Sequence, residues 1–280
     1  MATQERWSSR LGFILATVGS AVGLGNIWRF PYLVGISGGG AFFIPYLVGT
    51  IMCALPILML ELAGGRRYSG GVLATFGSVR KSARWAGALV VLWSLVLLSY
   101  YLVVAGWALG CWVSSATGSL TAFATFTSGF HSVLFFLLFL AICGSVALLG
   151  VRHGIEEVSR LLMPLLFLML VGLAVYGVSL SGWSSGMRFY LTPHPSSLAD
   201  PLVCIAAVGQ GFFSVGVGMG VMITYGSYLG SEEKIVSSSV LITAADVLAA
   251  FVAGLVIFPI VFSFGGNQPL ALNSPSTLCP

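Results

Sequence analysis

Two glycine-rich stretches interrupt apolar segments and place small polar residues beside them. GSAVGLGNIWRFP (Gly19–Pro31) contains Asn26, and GQGFFSVGVGMG (Gly209–Gly220) contains Ser214. Glycine costs about 1 kcal/mol relative to alanine inside a helix, so both stretches predict local unwinding. Unwound carbonyls can bind a cation such as Na⁺, and free N–H groups can bind a carboxylate. The pair therefore predicts a site for an ion and a small zwitterion.

The alternative for each stretch is close helix packing, because small-xxx-small patterns such as Gly19-x-x-x-Gly23 are common at helix contacts. Ionisable residues within the apolar segments favour the broken-helix interpretation, since charges inside a bilayer are costly and usually functional. Asp246 has no Lys or Arg nearby in sequence, which indicates a cation site. For Glu61 a structural hydrogen-bond role stays open, and for Arg29 the alternative is extension to the outer interface.

The elements that must position these residues are membrane helices. The chain has 280 residues, of which 58% are hydrophobic and 7% charged, with a mean hydropathy of +1.01. A soluble domain carries about 25% charged residues. We predict an all-α polytopic membrane protein with a single transmembrane domain over residues 1–280. Apolar runs long enough to span a bilayer lie near residues 11–35, 41–65, 85–113, 131–150, 158–180, 201–229 and 237–262.

The basic residues indicate the orientation of the chain. They cluster before the first run and in every second loop, with Arg188 as the exception. Cytoplasmic loops are enriched in Lys and Arg, so we expect a multi-pass protein of the cell membrane with its N-terminus in the cytoplasm. The same distribution explains the net charge of +4 without a nucleic-acid partner.

Enzymatic chemistry finds no support in the sequence. His131, His153 and His194 are isolated, and neither a serine–histidine pair nor paired carboxylates are evident. The cysteines, Cys279 among them, lack metal-ligand spacing and do not suggest a disulfide framework. We therefore expect a protein that is not an enzyme and has no organic cofactor.

The stretch RWSSRLGFILATVGSAVGLGNIWRFPYLVGISGGGAFFIPYLVG resembles the start of the neurotransmitter:sodium symporter family, in a prokaryotic form. The likeness continues through LPILMLELAGGR, SYYLVVAGW, ADPLVCIAAVGQGFFSVGVGMGVMITYGSYL and AGLVIFPIVF. It implies the inverted-repeat sodium symporter fold of the bacterial leucine transporter, with the first five-helix repeat and the first two helices of the second. It also implies sodium-coupled symport of an amino acid by alternating access, with Na⁺ as coupling ion.

The resemblance also implies roles for individual residues. The substrate site would be formed by Ala21, Gly23, Leu24, Gly25, Leu97, Tyr101, Phe213, Ser214, Gly216 and Met219. The first sodium site would use Ala21, Asn26, Ser214 and Asp246, and the second would use Gly19 and Val22 with further ligands from an eighth span. Gating would involve Arg29, Tyr101 and Phe213. Gly216 replaces the family's usual serine, which favours an apolar or aromatic substrate.

Chloride-dependent members of the family bind chloride beside the first sodium ion. The matching positions here are Tyr46, Gln210, Ser214 and Asp246. Asp246 stands where those members have a neutral residue, and its carboxylate can supply the negative charge itself. We therefore expect chloride-independent transport.

Two departures from the family pattern accompany this resemblance. Gln4 occupies the position of the family's inner-gate arginine, and Arg6 is displaced from it. Family members have about eleven or twelve spans, whereas seven are predicted here, so we expect a chain truncated after the seventh span. A non-transporting membrane fragment that acts as a scaffold or regulator is the alternative function. Expected partners are the amino acid or a related amine, Na⁺ and the lipid bilayer, with a homodimer left open.

Overall fold

The computed structural model describes residues 5–118, 126, 127, 129–193 and 198–264. Gln4, His194, Cys279 and the C-terminal residues 265–280 lie outside this described part. Within it the chain forms helices and turns but no strand, as expected for an all-α membrane protein. The α-helices are α1 Arg10–Ala21, α2 Phe30–Ile36, α3 Phe43–Gly49, α4 Leu55–Tyr68, α5 Val72–Val79, α6 Arg84–Ala116, α7 Phe130–Leu148, α8 Glu157–Val178, α9 Trp183–Leu191, α10 Pro201–Val215, α11 Val221–Ser227 and α12 Ile235–Ser263. Short 3-10 helices cover Gly40–Phe42 and Lys81–Ala83, and π-helical turns cover Gly25–Arg29, Thr50–Ala54 and Val151–Glu156.

The first predicted span is broken at its glycine-rich stretch. Helix α1 ends at Ala21, and Val22 is extended with φ −76° and ψ 108°. The chain resumes as the π-helical turn Gly25–Arg29, which leads into α2. The two halves are bent by 49°. The glycine-rich stretch therefore opens the helix where the sequence predicts it.

The sixth predicted span is also broken at its glycine-rich stretch. Helix α10 ends at Val215, and Gly216, Gly218 and Gly220 follow with φ values of 73°, 83° and 74°. This left-handed region is unfavourable for residues with a Cβ atom, so glycine makes the break possible. Helix α11 then begins at Val221.

Close helix crossings hold the broken halves in place. Helix α11 packs on α4, where a Cβ atom at Gly65 would collide with the carbonyl oxygen of Ile223. A Cβ atom at Gly226 would meet the backbone of Leu62 in the same contact. Helix α12 packs against α8, α9 and the π-helical turn of the first span. The two breaks adjoin each other, because a Cβ atom at Gly25 in the first would lie 3.2 Å from the ring of Phe213 in α10.

The remaining surfaces suit a lipid environment. Helices α6 and α7 pack on each other and expose many large apolar side chains, such as Leu92, Trp93 and Leu134. In the described part, five helical segments are long and apolar enough to cross a membrane, and the bent pair formed by the first span is a possible sixth. Helix α10 is apolar but shorter. The division of residues 1–280 into seven spans stays a prediction.

Candidate functional site

Three buried polar side chains meet beside the break in the first span. The Nδ2 atom of Asn26 lies 2.9 Å from Oγ of Ser214 and 2.8 Å from Oδ1 of Asp246. It also lies 3.0 Å from the carbonyl oxygen of Asp246. The hydroxyl of Ser214 donates to Oδ2 of Asp246 over 2.8 Å. The structure thus brings together the three side chains of the predicted first sodium site, and Ala21 lies nearby as the buried last residue of α1.

The charge of Asp246 has no compensating cation in the described part of the chain. The side chain is fully buried, and the ion pairs of the described residues are those of Arg10 with Glu233 and of Arg160 with Glu156. A buried carboxylate without an opposite charge is strongly destabilising. The oxygen atoms around it are ligands that a hard cation prefers, so the site can hold Na⁺.

The predicted chloride-like residues adjoin this site. Gln210 is fully buried, and its Nε2 atom donates to the carbonyl oxygen of Gly25 over 2.8 Å. Tyr46 is also fully buried and lies close enough to Asp246 and Ser214 to interact electrostatically. Its hydroxyl lies beside the side chains of Ser214 and Thr50, and Oε1 of Gln210 has no hydrogen-bond partner among the described residues. Thr50, which the sequence analysis did not single out, is also fully buried and begins a π-helical turn beside Tyr46.

The predicted gate residues contact one another around the break. The rings of Tyr101 and Phe213 have centroids 6.5 Å apart. The guanidinium carbon of Arg29 lies 4.4 Å from the centroid of the Phe213 ring. The same ring covers Gly25, where a Cβ atom would lie 3.2 Å from it. A Cβ atom at Gly23 would instead meet open space. An aromatic side chain therefore covers the unwound backbone, part of which stays uncovered.

The glycine-rich break in the sixth span is held by side chains from two other predicted spans. Glu61 in α4 accepts a hydrogen bond from the backbone N–H of Gly218 over 2.7 Å through its Oε1 atom. The hydroxyl of Ser94 in α6 donates to the carbonyl oxygen of Met219. Glu61 thus has the contact expected of a structural hydrogen-bond acceptor, whereas the sequence analysis did not identify Ser94.

Of the other predicted substrate residues, Gly216 and Leu24 lie at the breaks. Around Gly216 a Cβ atom would have 3.8 Å to its nearest neighbour, the terminal methyl of Met222. Leu24 precedes the π-helical turn of the first span, and Leu97 is half-buried in α6. No described contact connects Leu97 with the other predicted pocket residues.

The two predicted ligands of the second sodium site lie at the end of α1. Val22 is buried directly after the helix, and Gly19 lies within it against the side chain of Met163 in α8. Their carbonyls flank the same break. The further ligands expected from an eighth span fall beyond the described residues.

A polar cluster at the start of α1 was not predicted from the sequence. Glu156 is fully buried at the end of a π-helical turn and accepts hydrogen bonds from the N–H and hydroxyl groups of Ser8. Arg160 pairs with the same carboxylate and donates to the hydroxyls of Ser8 and Ser9. The i, i+4 spacing of Glu156 and Arg160 was the available signal, because oppositely charged residues at this spacing meet on a helix.

Comparison with known proteins identifies a family and individual relatives to which this chain is similar. Residues 4–130 and 127–268 match the model of the sodium:neurotransmitter symporter family. An uncharacterized sodium-dependent transporter of Bacillus subtilis is 38% identical over 272 residues, covering 93% of this chain and 60% of its own length. The sodium- and chloride-dependent GABA transporter 2 of Bos taurus is 30% identical over 317 residues, with 96% and 53% covered.

A solved structure shows the same fold. The crystal structure of MhsT in complex with L-phenylalanine matches with a TM-score of 0.86 and 38% sequence identity, covering 96% of this chain and 64% of that chain. This chain therefore spans between 53% and 64% of the length of these three proteins.

Proposed function

We propose that this chain, which belongs to the sodium:neurotransmitter symporter family, takes part in sodium-coupled symport of an amino acid by alternating access. The observation that carries the proposal is the fully buried carboxylate of Asp246, which has no cationic partner in the described part and lies beside two broken helices. A monovalent cation bound there offsets the buried charge. Its binding also joins α12 to both broken spans, because Asn26 and Ser214 share the site.

The substrate carboxylate is proposed to bind at the break in the first span. The backbone at Gly23, whose N–H donates to Oδ1 of Asn26, is not covered by a side chain, so the carboxylate can approach the peptide groups of the break. The hydroxyl of half-buried Tyr101 is a second hydrogen-bond donor, and Phe213 closes over the backbone. The charge of Na⁺ at Asp246 would attract the same carboxylate, which couples the binding of the two ligands.

An apolar or aromatic side chain suits the opposite side of this site. A Cβ atom at Gly216 would be in ordinary van der Waals contact with Met222, and the adjacent Met222 and Met219 provide an apolar lining without a charged group. L-phenylalanine in the similar MhsT structure supports the same class of substrate. We propose that phenylalanine, leucine and related amino acids are substrates.

Chloride independence is proposed from the position of the Asp246 carboxylate. The buried hydroxyl of Tyr46 and the buried amide oxygen of Gln210 lie beside a group that already carries a negative charge. An added anion would be repelled by the carboxylate of Asp246. The GABA transporter to which this chain is similar is named as chloride-dependent. We propose that this chain differs from it in not requiring chloride.

The orientation is proposed from charge. Arg6 and Arg10 precede the first span, which places the N-terminus in the cytoplasm by the positive-inside rule.

Binding of labelled amino acids to the purified protein tests the function. We expect phenylalanine and leucine to bind in sodium chloride and in sodium gluconate, and binding to be lost when N-methyl-D-glucamine replaces sodium. Binding that is unaffected by sodium would contradict sodium coupling. A large loss in gluconate that added sodium cannot restore would contradict chloride independence alone.

A further inference from the structure

The segment that joins α4 to α6 combines positive charge with exposed apolar side chains. Arg80, Lys81 and Arg84, which we call the Arg80 cluster, are all exposed. Val79 and Trp85 flank the cluster and are 69% and 67% exposed. A surface of this composition is unusual for a loop that faces only water.

The protein does not neutralise the Arg80 cluster. The sequence contains no acidic residue between Glu61 and Glu156. None of the ion pairs formed by the described residues includes a member of the cluster. The neighbouring Arg66 differs, because it donates to the carbonyl oxygen of Glu233 over 2.7 Å. Three positive charges therefore stay available to an external anion.

The position of the segment brings this charge to the membrane surface. The helical segments Gly40–Tyr68 and Lys81–Ala116 are both long and apolar enough to cross a membrane. The turn between them, with α5, must lie at the level where both segments leave the lipid. Tryptophan prefers this interfacial level, and Trp85 lies one residue after the cluster.

We propose that the Arg80 cluster binds the headgroup of an anionic phospholipid. The phosphate contacts Arg80, Lys81 and Arg84, while Val79 and Trp85 pack against the upper part of the acyl chains. Each basic side chain near a membrane surface increases the affinity of the protein for anionic lipid by about fivefold. This interaction is separate from the proposed transport site and does not depend on it.

Energy transfer from tryptophan to pyrene-labelled lipid tests the proposal. The protein is reconstituted into phosphatidylcholine vesicles that contain a trace of pyrene-labelled phosphatidylglycerol or of pyrene-labelled phosphatidylcholine. We expect the wild-type protein to favour phosphatidylglycerol. The triple variant Arg80→Gln, Lys81→Gln, Arg84→Gln should lower that preference by at least about tenfold at low salt.

A matched triple variant controls for net charge. Arg152→Gln, Arg188→Gln, Lys234→Gln also removes three exposed positive charges and should keep the wild-type preference. Equal loss in both variants would assign the effect to net charge and overturn the proposal. It would also be overturned if the wild-type protein showed no preference, or if inorganic phosphate at constant ionic strength abolished it, since the site would then bind free phosphate.

Discussion

The Asp246→Asn substitution tests the buried charge at the candidate sodium site. Asparagine keeps the shape of the side chain and one oxygen atom, so Asn26 can still donate to it. The new amide nitrogen faces the Ser214 hydroxyl, which donates to the carboxylate in the wild-type protein. The amide nitrogen can donate to the Ser214 oxygen, so the substitution removes one unit of charge and reverses one hydrogen bond while leaving the packing unchanged.

The expected effect of Asp246→Asn on the stability of the folded protein has opposite signs without and with sodium. Without the ion, the wild-type protein bears an uncompensated buried carboxylate, so the variant should unfold at the same or a higher temperature. With the ion, the variant loses an attraction of about 4 kcal/mol, the value for unit charges 4 Å apart at an effective dielectric constant of about 20. Because the amide oxygen keeps part of this attraction, we expect a loss of about 2–4 kcal/mol, which is roughly 30- to 1,000-fold weaker sodium binding.

Thermal unfolding of the purified protein during a sodium titration measures both effects. N-methyl-D-glucamine chloride keeps the ionic strength constant, and stabilisation by a ligand rises with its concentration relative to its dissociation constant. Asp200→Asn is the matched control, because Asp200 caps α10 at an exposed position and asparagine caps helices equally well. If Asp246→Asn keeps the wild-type sodium midpoint, Asp246 is not a sodium ligand.

Two further predictions concern stability. Glu156→Gln should destabilise the protein by about 2–4 kcal/mol, because Arg160 loses its partner and the hydrogen bonds from Ser8 weaken; an unchanged unfolding temperature would show that this cluster contributes little. Gly65→Ala should cost at least about 1–3 kcal/mol through overlap with α11, whereas Gly172→Ala, with open space around it in α8, should be neutral or stabilising by up to about 1 kcal/mol. Similar unfolding temperatures for these two alanine variants would contradict the close crossing of α4 and α11.

Local signals in the sequence predicted the two helix breaks but not all of the contacts that hold them. Glycine at Gly216 and Gly218 marks the second break because its backbone conformation is accessible to few other residues. The partner of Glu61 could not be deduced, since Gly218 lies 157 residues away along the chain. The pairing of Ser8 with Glu156 across 148 residues was missed for the same reason. Tertiary packing decides such contacts, and hydrophobic periodicity carries no information about them.

The functional assignment depended on the likeness to a family more than on residue chemistry. Buried Asp246 indicated a cation site by itself, but its association with Asn26 required the fold. Thr50 gave no signal, because a threonine within an apolar run is common and its π-helical turn is visible only in three dimensions.

The two interrupted helices are held by different side chains. Peptide groups in the sixth span are held by Glu61 and Ser94. The break in the first span is held instead by Asn26, which belongs to the candidate ion site, and by Gln210, which lies beside that site. We expect loss of an ion from this site to loosen contacts at both breaks, because Asn26 belongs to the first span and Ser214 to the sixth. Helix α1 packs on α8 and α12, so we expect a rearrangement at the first break to be transmitted to these two helices.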